Sequence, residues 1–129
     1  MTSNKSKKRI LVAEDNDSIL YNLKLSLEMN GFEVLTASNG KEVIEILEKN
    51  DKLPHLILSD IMMPVLDGYQ LYEFVSKNEL LKNISFIFIS AKSSPNDVKF
   101  GKSLGIDDYI TKPINEDLLL SIIRKKLLQ

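Results

Sequence analysis

Short apolar runs that each end in a chemically loaded residue recur along this 129-residue chain and restrict its fold more than any other feature. Ile10-Leu11-Val12-Ala13 runs into Glu14-Asp15, Leu56-Ile57-Leu58-Ser59 into Asp60, Ile84 to Ile89 into Ser90, and the shorter stretch from Asp107 to Thr111 into Lys112-Pro113. The runs have strand length, and helical periodicity fills the intervals between them. Such alternation predicts an α/β domain with a parallel sheet covered on both faces. In an open sheet of this kind, ligands bind beyond the carboxyl ends of the strands, where the strand order reverses. The loaded residues are therefore expected to meet at one rim.

Periodicity and turn formers place the elements. A first helix is expected from about Ser18 to Met29, with Ile19, Leu23 and Leu27 on one face and Gly31 positioned to stop it. A second strand over Phe32–Ala37 precedes Asn39-Gly40 and a helix through Val43, Ile44 and Leu47. The third strand, Leu56–Asp60, opens into a loop with the turn formers Pro64 and Asp67-Gly68, then a helix through Leu71, Phe74 and Val75. Ile84–Ile89 is nearly continuous apolar sequence, as in a central strand buried on both faces. The fourth helix has start signals in Ser93, Ser94 and Pro95, but Gly101 lies in its interior at a cost of roughly 1 kcal/mol relative to Ala. The last helix, about Asn115 to Leu128, is apolar over more than one stripe. Leu118, Leu119, Ile122 and Ile123 are expected to cover the core, leaving Leu120 and Leu127 toward solvent or a partner.

Length and a hydrophobic content of 43% fit one ordinary domain. The basic start, Met1 to Arg9, lacks the apolar stretch of a signal peptide, so the expected organisation is a flexible tail over residues 1–8 and a single domain over 9–129. A net charge of -1 argues against direct nucleic-acid binding. No apolar run approaches the roughly 20 residues needed to span a bilayer, so membrane insertion is not expected and the cytoplasm is the default. With no cysteine, a thiolate metal site is excluded, and the lone His55 cannot build one by itself.

Three carboxylates, a hydroxyl and an ammonium remain for the rim. Glu14, Asp15 and Asp60 at adjacent strand ends would repel one another unless a cation sat among them. A hard divalent ion such as Mg²⁺ accepts one or two carboxylates, a backbone carbonyl and a phosphate oxygen. A carboxylate can also act as nucleophile and form an aspartyl phosphate. Asp60 is the candidate, because it stands alone at its strand end and a glycine-containing loop would let a phosphodonor approach. Lys112 would place positive charge on the phosphoryl oxygens and Ser90 a hydrogen bond. Any one of these acids could be a solvated loop residue; the ordered set argues for a phosphate-handling site.

That set resembles the receiver domain of two-component response regulators over essentially the whole chain, from about Lys8 to Leu128. The resemblance rests on Glu14-Asp15 after the first strand, Asp60 after the third, Ser90 after the fourth, Tyr109 in the fifth and Lys112-Pro113 beyond it. It implies a flavodoxin-like (βα)5 fold with five parallel strands in the order 2-1-3-4-5. It also implies phosphotransfer onto Asp60 from the phosphohistidine of a sensor histidine kinase or histidine phosphotransfer protein, assisted by Mg²⁺ (or Mn²⁺). Asp15, Asp60 and the main-chain carbonyl of Met62 would touch the metal, with Glu14 acting through water. Lys112-Pro113 resembles the family's cis peptide, which would aim the lysine inward, and Ala91 is small, as donor access requires. Phosphorylation would draw Ser90 toward Asp60 and free space for Tyr109 to turn, switching an output face made by the fourth helix, fifth strand and fifth helix for a downstream effector. Taken alone, an aromatic in a short strand such as Tyr109 reads as a static packing residue; the resemblance favours the switch. Slow self-catalysed dephosphorylation is implied, tuned by Met62 and Lys92. Ile122 stands where relatives that dimerise as transcription factors carry an Arg, so a monomer or weak dimer is expected.

Other readings are weaker. A flavodoxin's first loop must cradle a phosphate, which Glu14-Asp15-Asn16-Asp17 would repel, and no phosphate-binding Gly-x-x-x-x-Gly-Lys-Ser/Thr motif is present. Phosphatases of the haloacid dehalogenase type want a second acid where this chain has Met62. Met62-Met63 reads as packing residues before a soft-metal site. A receiver serving chiefly as a scaffold, and a Mg²⁺-dependent phosphohydrolase for outside substrates, complete the alternatives.

Overall fold

The computed structural model, which describes residues 7–49 and 52–128, alternates strand and helix throughout. The order is β1 (Arg9–Ala13), α1 (Asp17–Met29), β2 (Glu33–Ala37), α2 (Gly40–Lys49), β3 (Leu56–Asp60), α3 (Gly68–Lys77), β4 (Ser85–Ser90), α4 (Pro95–Ser103), β5 (Asp108–Thr111) and α5 (Glu116–Leu127). Of the tail expected over residues 1–8, residues 1–6 lie outside the described residues. The strands form one parallel sheet in the order β2-β1-β3-β4-β5, as the resemblance implied. The order reverses at β1, so the carboxyl ends of β1 and β3 flank the crevice in which such sheets bind ligands.

Side chains alternate along each strand and sort the core into two layers. Ile10, Val12, Leu56, Leu58, Ile87, Ile89 and Ile110 face α1 and α5, meeting Leu23, Leu27, Leu119, Leu120 and Ile123. Leu11, Ile57, Phe86, Phe88 and Tyr109 face the other way, against Val43 and Leu47 of α2, Leu71 and Val75 of α3, and the partly buried Val98 of α4. Both faces of β3 and β4 are covered, which is why those runs carry little polar sequence.

Small departures at element ends have local causes. Phe32 does not open β2, because its N–H donates to Leu27 O at 3.1 Å and closes the end of α1, where Gly31 takes φ 94°. Ile84 stays outside β4, its N–H donating to Leu81 O at 3.0 Å, while Ser90 joins the strand by accepting from Lys112 N at 2.8 Å.

The expected facing of α5 is corrected. Leu119, Leu120 and Ile123 are buried and Ile122 and Leu127 pack partly against the same layer, whereas Leu118 is 51% exposed. The phase is set at the ends of the helix. Asn115 Oδ1 accepts from Leu118 N at 3.0 Å, and Arg124 Nη2 donates to Asn30 Oδ1 at the end of α1 at 2.9 Å. Gly101, costly by propensity, is buried in α4 because the Tyr109 ring lies on it: a Cβ there would stand 2.6 Å from both Cδ2 and Cε2 of that ring.

Candidate functional site

The acid pair after β1 is split by the backbone. Glu14 N–H donates to Ala37 O at 3.0 Å, extending the β1–β2 pairing by one residue and turning the Glu14 side chain inward. Glu14 is 0% exposed, while Asp15 stays at the surface. Asn16, which the sequence reading treated only as part of an acidic loop, serves both sides of the turn: its N–H donates to Glu14 Oε2 and its Oδ1 accepts from Ile19 N, each at 3.0 Å. An Asn directly ahead of an amphipathic run is a helix-cap signal that could have found it.

Asp60 ends β3 with 4% exposure. Its Oδ1 accepts from Met62 N at 3.2 Å and its Oδ2 from Lys112 Nζ at 2.8 Å. The same ammonium lies 2.7 Å from Glu14 Oε1. That approach is close but misaligned, so Glu14 Oε1 is a buried oxygen with an ionic neighbour and no hydrogen bond. Burial pushes the Glu14 carboxyl above its ordinary range; the Lys112 ammonium and the Asn16 amide pull it back, and the Asp60 charge raises it again. Burial opposes the charge on Lys112, but its hydrogen bond to Asp60 and its ionic contact with Glu14 outweigh this and hold its pKa above the ordinary value. The Lys112-Pro113 bond is cis, as the resemblance implied.

Ser90 and Tyr109 meet at Lys92. Ser90 is fully buried, and its Oγ accepts from Lys92 N at 3.0 Å. The Tyr109 hydroxyl donates to Lys92 O at 2.7 Å, with its ring turned inward edge-on to Phe88 at 6.2 Å. Burial raises the Tyr109 phenol pKa, offset in part by the Ser90 hydroxyl. The backbone of Lys92 thus ties together two side chains that the sequence reading linked only by resemblance.

The loop after Asp60 departs from expectation. Gly68 does not open a path for a donor; it is buried with its Cα against Asp60 O and Ile61, where a Cβ would overlap the backbone, and its N–H donates to Ile61 O at 2.8 Å. Close packing of the α3 start on β3 explains the glycine. Met63 packs in the core, but Met62 is 59% exposed and is not a packing residue. Val65 beside them is 74% exposed and takes φ 70°, a left-handed conformation that a β-branched residue rarely adopts.

Glu14, Asp15 and Asp60 each offer an oxygen within 4.8 Å of the others. Three hard oxygen donors exceed the one ammonium by two charges, and one donor, Glu14 Oε1, is buried without a hydrogen bond. This donor set fits an oxygen-seeking divalent cation. Among the described residues no helix is long and apolar enough to cross a membrane.

Comparison with known proteins agrees with this arrangement. The sequence profile of the response regulator receiver domain matches residues 10–124. The chain is 36% identical to Protein PilH of Pseudomonas aeruginosa over 119 residues, covering 92% of this chain and 97% of that one. It is 38% identical to the alkaline phosphatase synthesis transcriptional regulatory protein PhoP of Bacillus subtilis, over 84% of this chain but only 43% of that protein. Among solved structures, the signal receiver domain of a signal transduction histidine kinase from Syntrophus aciditrophicus superposes with a TM-score of 0.85 at 34% identity, covering 94% of this chain and 90% of that one.

Proposed function

The chain belongs to the response regulator receiver domain family of two-component signalling, and from that premise we propose that it accepts a phosphoryl group on Asp60 from the phosphohistidine of a sensor histidine kinase or histidine phosphotransfer protein. The observation that carries the reading is the Asp60 carboxylate: nearly buried at a strand end, paired with Lys112 at 2.8 Å and clustered with Glu14 and Asp15. A lone surface acid would have none of these neighbours.

In this reading a carboxylate oxygen of Asp60 attacks phosphorus in line with the P–N bond. The P–O bond forms as the P–N bond breaks, and the electron pair leaves on the imidazole. Lys112 holds the acceptor beforehand and then faces the added phosphoryl oxygens. Glu14, Asp15, Asp60 and the Met62 carbonyl would hold Mg²⁺ (or Mn²⁺), which supplies positive charge to those oxygens when bound. Hydrolysis of the product by water returns the carboxylate slowly, and no external substrate is implied.

Ser90 would turn its hydroxyl proton to a phosphoryl oxygen on Asp60. A shift of Ser90 would pull on Lys92 N–H, and Tyr109 holds the carbonyl of the same residue, so the two are mechanically linked. The proposed output is a change in the α4–β5–α5 surface, where Phe100 and Leu118 are exposed to a downstream effector. Intact-mass analysis after incubation with Mg²⁺ and acetyl phosphate tests the core of the reading. One phosphoryl adduct is expected, lost in Asp60→Ala and in EDTA; an equal adduct in Asp60→Ala would overturn it.

A further inference from the structure

One buried hydroxyl has no part in the chemistry above. The parallel register sets Ala37, Ala13, Ser59, Phe88 and Tyr109 in one row across the sheet, on the face packed by α2 and α3. Ser59 is 0% exposed there, and its row neighbours toward β1 and β2 are alanines. Alanine would suit the same space without dehydrating a hydroxyl, which is unfavourable unless the group is hydrogen-bonded. Ser59 Oγ makes that bond at 2.8 Å to the main-chain oxygen of Asp60.

That oxygen belongs to the peptide joining Asp60 to Ile61, the first link of the loop expected to supply a metal ligand. The next carbonyl, Ile61 O, is held by Gly68 N at 2.8 Å, and the next amide, Met62 N, by Asp60 Oδ1 at 3.2 Å. Gly68 also presses on Asp60 O from the α3 side, with no room for a side chain. Consecutive backbone groups are therefore fixed one by one, and Ser59 fixes the first. Rotation of that peptide would move both the Asp60 carboxylate and the Met62 carbonyl.

We propose that Ser59 is a positioning residue for the phosphoacceptor site: its hydroxyl locks the Asp60–Ile61 peptide and so sets where the Asp60 and Met62 oxygens stand for a divalent cation. This rests on the reading of Asp60 given above. Outer partners of ligating groups typically change metal affinity by 10–100-fold. Because Ser59 acts through a backbone carbonyl rather than a ligating atom, Ser59→Ala should lie at the low end, with a Kd for Mg²⁺ raised roughly tenfold.

The test is titration of the full chain with Mg²⁺, followed by the Met62 amide resonance and by calorimetry, for wild type, Ser59→Ala and Ser59→Thr. The expected result is weakened binding in Ser59→Ala, recovery in Ser59→Thr, and slower labelling by acetyl phosphate at sub-saturating Mg²⁺ in Ser59→Ala alone. Should Ser59→Ala fail to fold, Ser59→Cys, similar in size but a weaker donor, carries the comparison and should also bind more weakly. A Kd within twofold of wild type in the folded hydroxyl-less variant overturns the proposal while leaving Asp60 as phosphoacceptor untouched. A wild-type chain that neither binds Mg²⁺ nor takes a phosphoryl group overturns both.

Discussion

Gly101→Ala should stabilise or destabilise this protein according to what occupies position 109. In the interior of α4 the exchange gains roughly 1 kcal/mol of helix propensity. Against that, the new Cβ would stand 2.6 Å from Cδ2 and Cε2 of Tyr109, about 1 Å inside ordinary contact. The ring must move away from position 101, which strains its edge-on contact with Phe88 and the 2.7 Å bond of its hydroxyl to Lys92 O. Overpacking of this kind costs about 1–3 kcal/mol, and the hydrogen bond is worth about 1 kcal/mol. The single substitution should therefore lower stability by about 1–3 kcal/mol, whereas in a Tyr109→Ala background it should raise stability by up to about 1 kcal/mol. Urea denaturation of the four proteins closes a double-mutant cycle with an expected coupling of about 2–4 kcal/mol. If Gly101→Ala changed stability equally in both backgrounds, the reasoning that the glycine exists for the Tyr109 ring would be refuted.

Lys112→Met in EDTA should cost about 3 kcal/mol at neutral pH, since it leaves Glu14 and Asp60 facing each other in a nearly buried site. The deficit should shrink toward pH 5, because a Glu14 carboxyl already held above its ordinary value takes up a proton first in the folded state; an equal deficit at both pH values argues against it. His55 accepts Arg9 N–H on Nδ1 at 2.9 Å, and burial together with the charges of Lys8 and Arg9 lowers its pKa. A lowered folded-state pKa gives stability that is complete above the unfolded value of about 6.5 and is lost as pH falls through the folded one. His55→Asn, which keeps an acceptor that does not titrate, should flatten the urea-denaturation profile between pH 7.5 and 5.5 relative to wild type; parallel profiles would count against this role. Val65→Asn should add about 1 kcal/mol by relieving a left-handed β-branched residue, provided the denaturation midpoint rises and not the reverse.

The strands and the inventory of the site were legible because both are written locally. An apolar run of strand length is visible wherever it falls, and Glu14, Asp15, Asp60, Ser90 and Lys112 each follow one directly. What could not be read were the facts set by a second element. Leu118 and Leu120 are chemically the same, and the sheet receives Leu120 together with Leu119 and Ile123, a phase consistent with the cap at Asn115 and the Arg124–Asn30 bond. Gly68 and Gly101 look like a turn former and a helix weakness until the backbone of β3 and the ring of Tyr109 are laid against them. The same holds for Glu14 and Asp15, whose unequal burial follows from a single hydrogen bond to β2.

Lys112 arrives at its carboxylates from the last strand of the sheet, while Glu14 and Asp60 leave the first and third. A chain that had paired β1 with β3 and not yet added β5 would hold two acids side by side with no ammonium to answer them. Docking of β5 therefore relieves electrostatic stress as well as covering apolar surface, and it comes late in any chain emerging amino end first. Divalent cations in solution offer the same relief earlier. Refolding should accordingly be faster in their presence, making this charge cluster a participant in assembly before it has any signalling role to play.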